Sequence, residues 1–94
     1  AGDSAVIKIQ DMVVDVDRHQ VKINGQEVEL TPHEFDILAF LAKNKDKVLS
    51  IKQIYENVWQ EPYVKFDRTV TVHIRRLRKK IKVDYIKTVW GVGY

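Results

Sequence analysis

The sequence predicts an α+β domain built from an antiparallel sheet, three helices and a C-terminal β-hairpin. Three observations carry this prediction. Short β-branched runs fill the first third of the 94-residue chain, and apolar residues at helical spacing follow two marked helix starts. Positive charge is concentrated in residues 67–82, which hold seven Lys or Arg against one Asp, whereas the whole chain carries a net charge of +3. Such a local excess indicates a polyanionic partner.

Residues 6–30 carry the strand signals. The runs VIKI and MVVDV are separated by Gln10 and Asp11, and Asn24-Gly25 lies between two alternating segments in QVKINGQEVEL. Asn-Gly favours a two-residue hairpin turn, because both of its positions adopt positive φ readily. We expect an antiparallel sheet of three or four strands with a structural role.

Two helix starts follow the sheet. Thr31 is placed to cap the first helix, Pro32 takes its first position and Glu34 completes a capping box. This helix should run to about Lys43. Its buried side should consist of apolar residues, namely Phe35, Leu38, Leu41 and Ala42.

The second helix should be short, at roughly residues 50–59, with Ser50 as its N-cap and Gln53 closing another capping box. Its apolar side should consist of Ile51, Ile54, Tyr55 and Val58. Pro62 then interrupts the helical pattern and predicts a loop, after which Asp67 is placed to cap a third helix. The segment YIKTVWGVGY is a predicted strand, turn and strand.

The third helix should have one apolar stripe and one cationic face. The stripe spans about 60° of a helical wheel and should pack on the first two helices. It consists of Val70, Ile74, Leu77 and Ile81. The opposite face consists of Arg68, Val72, Arg75, Arg76 and Lys79. Thr71, Arg78 and Lys82 lie on one flank, and His73 and Lys80 lie on the other.

A charged helix face is most often simply solvated. Here, however, three like-charged pairs stand one turn apart, and each costs a few tenths of a kcal/mol. The pairs are Arg75–Lys79, Arg76–Lys80 and Arg78–Lys82. The pattern therefore favours a polyanion, and B-DNA fits best because its major groove admits a helix. RNA is disfavoured because its A-form major groove excludes a helix, and a membrane is disfavoured because the core needs the apolar stripe.

The sequence gives little support to catalysis. The chain has no Cys, its three His residues lack metal-ligand spacing, and no Gly-rich phosphate loop or paired carboxylates occur beside a nucleophile. We therefore expect no catalytic residue, cofactor or metal. Without an apolar run near 18 residues or a secretory signal, we also expect no membrane span and a cytoplasmic location.

Four segments closely resemble the effector domain of OmpR/PhoB-type bacterial response regulators. They are LTPHEFDILAFLAKN, VLSIKQIYENVW, DRTVTVHIRRLRKKI and YIKTVWGVGY, and the resemblance covers essentially the whole chain. It implies a winged helix-turn-helix with an N-terminal four-stranded antiparallel sheet, three helices and a C-terminal β-hairpin wing. It further implies a recognition helix at about 67–82 in the major groove and a wing at about 85–94 on the adjacent backbone or minor groove.

The resemblance also implies roles for single residues. Base reading falls on Arg76, with Thr71 and Val72 beside it. Phosphate contacts fall on Trp59, Arg68, His73, Arg75, Arg78, Lys79, Thr88 and Tyr94. Thr71 stands where an Asp is usual, and Trp90 stands where some members insert an Arg into the minor groove. Plain structural alternatives remain open: Trp59 as a core aromatic, His73 as a half-buried spacer and Thr88 as an ordinary strand residue.

Partners follow from the same resemblance. We expect residues 1–94 to form one effector domain that binds double-stranded DNA for transcription regulation, with the phosphoacceptor receiver domain of a two-component system absent from this chain. A cognate sensor kinase would act through that receiver. We expect the isolated domain to be monomeric and to bind direct-repeat operators in tandem. The interaction alternative is a loop that contacts RNA polymerase, formed by Glu61, Pro62, Tyr63, Val64 and Lys65, with Phe66 exposed beside it.

Overall fold

The computed structural model describes residues 6–45, 47–64, 67–81, 86 and 93–94. In chain order, the described part forms four strands followed by three helices. The strands are β1 (Val6–Ile9), β2 (Met12–Asp15), β3 (Gln20–Ile23) and β4 (Gln26–Val28). The helices are α1 (Pro32–Lys43), α2 (Ile51–Trp59) and α3 (Thr69–Ile81). The predicted order of sheet and three helices is confirmed.

The four strands form an antiparallel sheet in sequential order. Asn24 and Gly25 both have positive φ between β3 and β4, which matches the turn expected from Asn-Gly. Alternate residues of the two central strands are buried and belong to the core. They are Met12 and Val14 in β2, and Val21 and Ile23 in β3. The sheet thus presents one apolar face to the helices.

Both predicted capping boxes are present at α1 and α2. Thr31 accepts a hydrogen bond from the backbone N–H of Glu34, whose carboxylate accepts one from the N–H of Thr31. Ser50 and Gln53 repeat this exchange at α2. These bonds satisfy N–H groups that the helices leave without intrahelical partners, and they set the first residue of each helix.

The apolar stripe predicted for α3 lies in the core, where all four of its residues are at most 2 % exposed. The prediction for α1 was less complete, because Leu41 is only half-buried while Ile37 and Ala39 are buried. All three helices pack on one another. This packing fixes which side of α3 is turned away from the protein.

The prediction that Asp67 is the N-cap of α3 is wrong by one residue. The helix begins at Thr69, and the Arg68 carbonyl accepts the Val72 N–H at 3.0 Å, so Arg68 has the N-cap position. Asp67 still serves this end of the helix, because its carboxylate accepts the Thr69 N–H at 2.8 Å. Sequence spacing identified the capping residue but not its position, because a carboxylate can reach helix N–H groups from one residue upstream.

The chain end returns to the beginning of α2. Leu49 and Tyr94 exchange both backbone hydrogen bonds, at 2.7 and 2.9 Å, and Ser50 pairs with Gly93. A side chain at Gly93 would collide with the Leu49 carbonyl, since a Cβ there would lie 2.0 Å from that oxygen. Of the rest of the predicted wing, only Ile86 is among the described residues. None of the helices described is long and apolar enough to span a bilayer.

Candidate nucleic-acid interface

The side of α3 that faces away from the core is cationic and exposed. Its exposed members are Arg68, Thr71, Val72, Arg75, Arg76 and Lys79. Val72 is 39 % exposed although it is apolar, and it stands among these cations. The same helix therefore has a buried apolar side and an exposed charged side. We call the exposed side the cationic face, and it consists of Arg68, Val72, Arg75, Arg76 and Lys79.

The four cations of this face have no partner among the residues that the structure describes. Within the described residues no ion pair or side-chain hydrogen bond involves Arg68, Arg75, Arg76 or Lys79. The nearest acid in the sequence, Asp67, is engaged by Thr69, whose side-chain and backbone hydrogen bonds lower the pKa of Asp67. The guanidinium and ammonium donors of the cationic face are thus available to an external anion.

Lys80 is different, because it is paired inside the protein. Its Nζ lies 2.6 Å from Oε1 of Glu34, a side chain that is 1 % exposed in the first turn of α1. Burial raises the pKa of Glu34, but the hydrogen bond and charge of Lys80, with the Thr31 hydrogen bonds, lower it further than burial raises it. The Glu34 carboxylate is therefore held ionised between its own helix cap and α3.

Arg78 is also engaged within the protein. Its Nη2 donates a hydrogen bond of 2.8 Å to the Ile86 carbonyl, and its guanidinium carbon lies 5.5 Å from the centre of the Tyr94 ring. Arg78 and Tyr94 are both half-buried. This geometry makes Arg78 a link between the recognition-helix candidate α3 and the C-terminal residues.

An aromatic cluster lies where the three helices meet, and it consists of His33, Tyr55, Trp59, Tyr63 and His73. The Trp59 ring is central: it stacks on Tyr55 at 5.0 Å between centroids and contacts His33 at 4.6 Å and His73 at 5.2 Å. Trp59 and His73 are half-buried, and His33 is exposed. Trp59 is therefore partly a packing residue, as the structural alternative held, with one side near the surface.

The loop after α2 is more ordered by hydrogen bonds than the sequence suggested. The Tyr63 N–H donates to Glu56, and the Tyr63 hydroxyl donates to the Asp67 carbonyl at 3.1 Å. The segment WQEPYVKF, with Pro62 in it, was expected to expose Tyr63, Val64 and Phe66; for Tyr63 this is wrong, because its ring is half-buried edge-on against Tyr55. Val64 is exposed as expected, at 67 %. Glu61 and Pro62 are exposed as well.

Apart from the loop residues 61–64 described above, the predicted site residues and their neighbours fall into three groups. One group shares the cationic face and its edge: Arg68, Thr71, Val72, Arg75, Arg76 and Lys79. A second group is packed or bonded within the protein: Trp59, His73, Arg78 and Tyr94. The third group lies outside the described residues: Lys65, Phe66, Lys82, Thr88 and Trp90. Sequence reasoning missed two residues beside this site, His33 and the ion-paired Glu34.

The described residues offer no cluster of side chains for a metal ion. Within residues 6–45, 47–64, 67–81, 86 and 93–94, no group of three or more His, Asp or Glu side chains is placed to hold a metal ion. The arrangement instead presents an array of donors on one exposed helix face. Such an array can bind phosphate oxygens and base edges.

Comparison with known proteins adds a family match. The family model described as "Transcriptional regulatory protein, C terminal" matches residues 25–94. The transcriptional regulatory protein YcbL of Bacillus subtilis is 43 % identical over 94 residues, a match that covers 95 % of this chain and 42 % of YcbL. The regulatory protein VanR of Enterococcus faecium is also 43 % identical, over 95 % of this chain and 41 % of VanR. The chain thus spans about two-fifths of the length of these relatives.

Solved structures agree with the fold. The DNA-binding domain of RstA from Klebsiella pneumoniae, in complex with the RstA box, superimposes with a TM-score of 0.88 at 32 % identity. This match covers 95 % of the present chain and 93 % of the RstA chain. The shared architecture therefore extends over nearly the whole of both domains.

Proposed function

The chain belongs to the family of transcriptional regulatory protein C-terminal domains, the effector domains of OmpR/PhoB-type response regulators, and on this premise we propose that it binds double-stranded DNA sequence-specifically to regulate transcription. This family consists of DNA-binding transcription regulators and not of enzymes. We accordingly propose no catalytic role for the domain. The RstA complex supports the choice of ligand, since that domain has 32 % identity with this chain.

One observation carries the proposal: four cations without a partner among the described residues share, with Val72, the exposed face of a helix whose other side is fixed in the core. An α-helix with side chains is about 10–12 Å across, which suits the major groove of B-DNA. Packing on α1 and α2 removes freedom from α3 before DNA arrives. A rigid helix loses less conformational entropy on binding than a mobile segment would.

Base reading is proposed for the middle of the cationic face. Arg76 can donate two parallel hydrogen bonds to guanine O6 and N7, and the exposed methyl groups of Val72 suit the methyl group of thymine. Thr71 adds a hydroxyl at the edge of this face. Exposure of all three side chains supports these roles.

Phosphate contacts are proposed for the cations at the ends and sides of the same face, namely Arg68, Arg75 and Lys79. His73 and Trp59 lie on one flank, where a DNA backbone would pass. Arg78 fits a phosphate role less well, because one of its donors is bonded to the Ile86 carbonyl. Two backbone hydrogen bonds to Leu49 hold Tyr94 near α2, so the side chain of Tyr94 extends from a fixed point of the backbone. Thr88 remains a proposal from the family resemblance.

Contact with RNA polymerase is a second candidate role, for the loop at residues 61–65. The observation that favours it is Val64, an apolar side chain that is 67 % exposed beside exposed Pro62. Hydrogen bonds from Tyr63 to Glu56 and to the Asp67 carbonyl hold Tyr63 in place beside Val64, which favours a preformed docking surface. The role is compatible with DNA binding by α3.

This chain spans about two-fifths of the length of its relatives. We propose that the longer protein is cytoplasmic and includes a receiver domain, which a cognate sensor kinase controls. Two effector domains would then occupy direct-repeat half-sites in tandem, whereas the isolated domain would be a monomer in solution. The receiver would raise the effective concentration of the second domain at its half-site.

Selection from a pool of random duplexes tests this function. The purified domain should enrich one sequence motif, and enriched molecules should carry it as a direct repeat, because tandem docking keeps both domains in the same orientation. Sedimentation without DNA should give a monomer. Failure to enrich any motif would overturn sequence-specific binding, and enrichment of inverted repeats would overturn the tandem arrangement alone.

A further inference from the structure

We propose that Arg78 is a positioning residue, which fixes the angle between α2 and α3 through Ile86 and Tyr94 and thereby determines how strictly α3 discriminates between base sequences. The inference rests on the proposed DNA-binding function and deepens it, because it assigns part of the sequence preference to a side chain that does not touch DNA. It takes the place of the phosphate contact that the family resemblance implies for Arg78.

Two contacts of Arg78 lie on the C-terminal residues. Its Nη2 donates a hydrogen bond of 2.8 Å to the Ile86 carbonyl, and its guanidinium carbon lies 5.5 Å from the centre of the Tyr94 ring, which is within the range of a cation–π contact. Ile86 is 5 % exposed and belongs to the hydrophobic core, so the position of its carbonyl is fixed. The planar guanidinium therefore meets two partners that the rest of the chain holds in place, and it restricts the last turn of α3.

Tyr94 connects these contacts to the beginning of α2. Its backbone exchanges two hydrogen bonds with Leu49, at 2.7 and 2.9 Å, and the next residue, Ser50, is the N-cap of α2. The chain end thus joins the first residue of α2 to the last turn of α3. We call this set of residues the C-terminal link, and it consists of Leu49, Arg78, Ile86 and Tyr94.

A second contact between the two helices lies at the opposite end of α2. Trp59, the last residue of α2, contacts the His73 ring of α3 at 5.2 Å between ring centroids. Ser50 and Trp59 lie about 13 Å apart along the axis of an α-helix. Two attachments at this separation fix the angle between α2 and α3, whereas apolar packing between helices is not directional. Loss of the C-terminal link should therefore allow α3 to tilt about its contact with Trp59.

Such a tilt should weaken base reading more than phosphate binding. Hydrogen bonds to base edges are directional, and they weaken steeply when donor and acceptor are misaligned. Phosphate contacts come from long side chains such as Lys79, which can adjust to a displaced DNA backbone. The C-terminal link should accordingly contribute to the preference for one sequence and contribute little to non-specific binding.

The environment of Arg78 favours this role over a phosphate contact. Arg78 is half-buried, whereas Arg75, one turn earlier, is exposed and has no partner among the described residues. A DNA phosphate that drew the guanidinium outward would break its hydrogen bond to the Ile86 carbonyl and its contact with the Tyr94 ring. The two arginines therefore differ in what they can offer to DNA, although they carry the same charge.

The experiment compares Arg78→Met with Arg75→Met. These variants lose the same charge from the same helix, but only the first loses the C-terminal link. Each folded variant is titrated, over a series of salt concentrations, with a duplex that carries the motif enriched by selection and with a duplex of scrambled sequence. Tyr94→Phe and Tyr94→Leu form a second pair: both lack the hydroxyl, and only the Leu variant lacks the aromatic ring.

Opening of the C-terminal link is measured separately, in the absence of DNA. The amide groups of Leu49 and Tyr94 donate the two backbone hydrogen bonds of the link, so their hydrogen exchange reports its local opening. Both amides should exchange faster in Arg78→Met than in the wild type. The amides of the central strands β2 and β3 serve as the reference and should change less.

Arg78→Met should lower the ratio of the affinities for the selected and scrambled duplexes by about twofold to thirtyfold, the range for residues that act on binding without touching the ligand. Its salt dependence should match that of the wild type, whereas Arg75→Met should reduce the slope by about 0.9. Tyr94→Leu should lower the affinity ratio further than Tyr94→Phe, because only Phe keeps a ring beside the guanidinium.

A salt slope that falls as much in Arg78→Met as in Arg75→Met would identify Arg78 as a phosphate contact and overturn the positioning role. An unchanged affinity ratio in Arg78→Met, or equal ratios in the two Tyr94 variants, would overturn it as well, and the Tyr94 pair decides the matter if Arg78→Met does not fold. Failure of the wild type to prefer the selected duplex would instead overturn the proposed function. Hydrogen exchange at Leu49 would then still show whether Arg78 holds the link closed.

Discussion

Helix α3 carries two sets of cations that lie in different environments. The outer cations Arg68, Arg75, Arg76 and Lys79 are exposed and have no partner among the described residues. The anchored cations Arg78 and Lys80 are bonded to the Ile86 carbonyl and to the Glu34 carboxylate. Lys79 and Lys80 are thus neighbours in sequence but differ in environment.

The number of Lys and Arg residues in a helix therefore overstates the number of cations that are available to bind DNA. Lys80 already neutralises a carboxylate, and Arg78 connects α3 with the chain end. Both anchored cations lie on the flanks of the helical wheel, where neighbouring elements can reach them. The outer cations lie nearer the centre of the exposed side and remain available for phosphates and bases.

The largest expected effect is a difference in the free energy of unfolding between a Lys80 variant and a Lys79 variant. Lys80→Met leaves the buried Glu34 carboxylate with the hydrogen bond from the Thr31 backbone N–H, and should lower the free energy of unfolding by about 2–3 kcal/mol. Lys79→Met removes an exposed cation that has no partner in the described part of the chain, and should change the free energy of unfolding by no more than about 0.5 kcal/mol. Urea denaturation at pH 7 measures both.

The same pair has a defined pH dependence. The pKa of Glu34 in the folded protein lies below its ordinary value of 4.5, so its stabilisation is present above that value and is lost as the pH falls through the folded-state pKa. The stability gap between wild type and Lys80→Met should therefore narrow in acid. A gap of equal size at pH 7 and at low pH, or equal losses for the two lysine variants, would contradict the ion pair.

Much of the fold was predictable because its signals are local. The capping boxes at Thr31 and Ser50 lie within four residues, and the Asn24-Gly25 turn lies within two. The apolar stripe of α3 was found from helical spacing alone. Each of these features depends on chain geometry that repeats in every protein.

The site was predictable only in part, because several of its contacts are not local. Glu34 and Lys80 are 46 residues apart, and nothing in either segment signals the other. His33 joins Trp59 and His73 only after three helices have packed. The capping box did identify Glu34, but a capping residue is ordinarily near the surface, whereas this one is 1 % exposed. Tertiary packing decided these environments.

The outer cations themselves should divide into base readers and backbone contacts. Arg76→Ala should weaken binding to the selected duplex by about 1–3 kcal/mol and relax the preference at one base pair, since a bidentate guanine contact is lost. Arg68→Ala lies at the start of α3 and should weaken binding to selected and scrambled duplexes alike. Titration of both variants with both duplexes tests the division, which would be wrong if the two gave the same pattern.

The smallest effect should appear in the salt dependence of DNA binding, which directly tests the difference between outer and anchored cations. Each neutralised phosphate releases counterions, so the logarithm of the binding constant should fall with the logarithm of salt by about 0.9 per contact. Lys79→Gln should reduce this slope by about that amount, because an outer cation is removed. Lys80→Gln should leave it nearly unchanged, because the ammonium already pairs with Glu34 at 2.6 Å and the Gln amide can still donate toward it. Both variants are titrated with one duplex after circular dichroism has verified that they are folded. Equal reductions would show that Lys80 exchanges Glu34 for a phosphate on binding, and the distinction between outer and anchored cations would then hold only for the free protein.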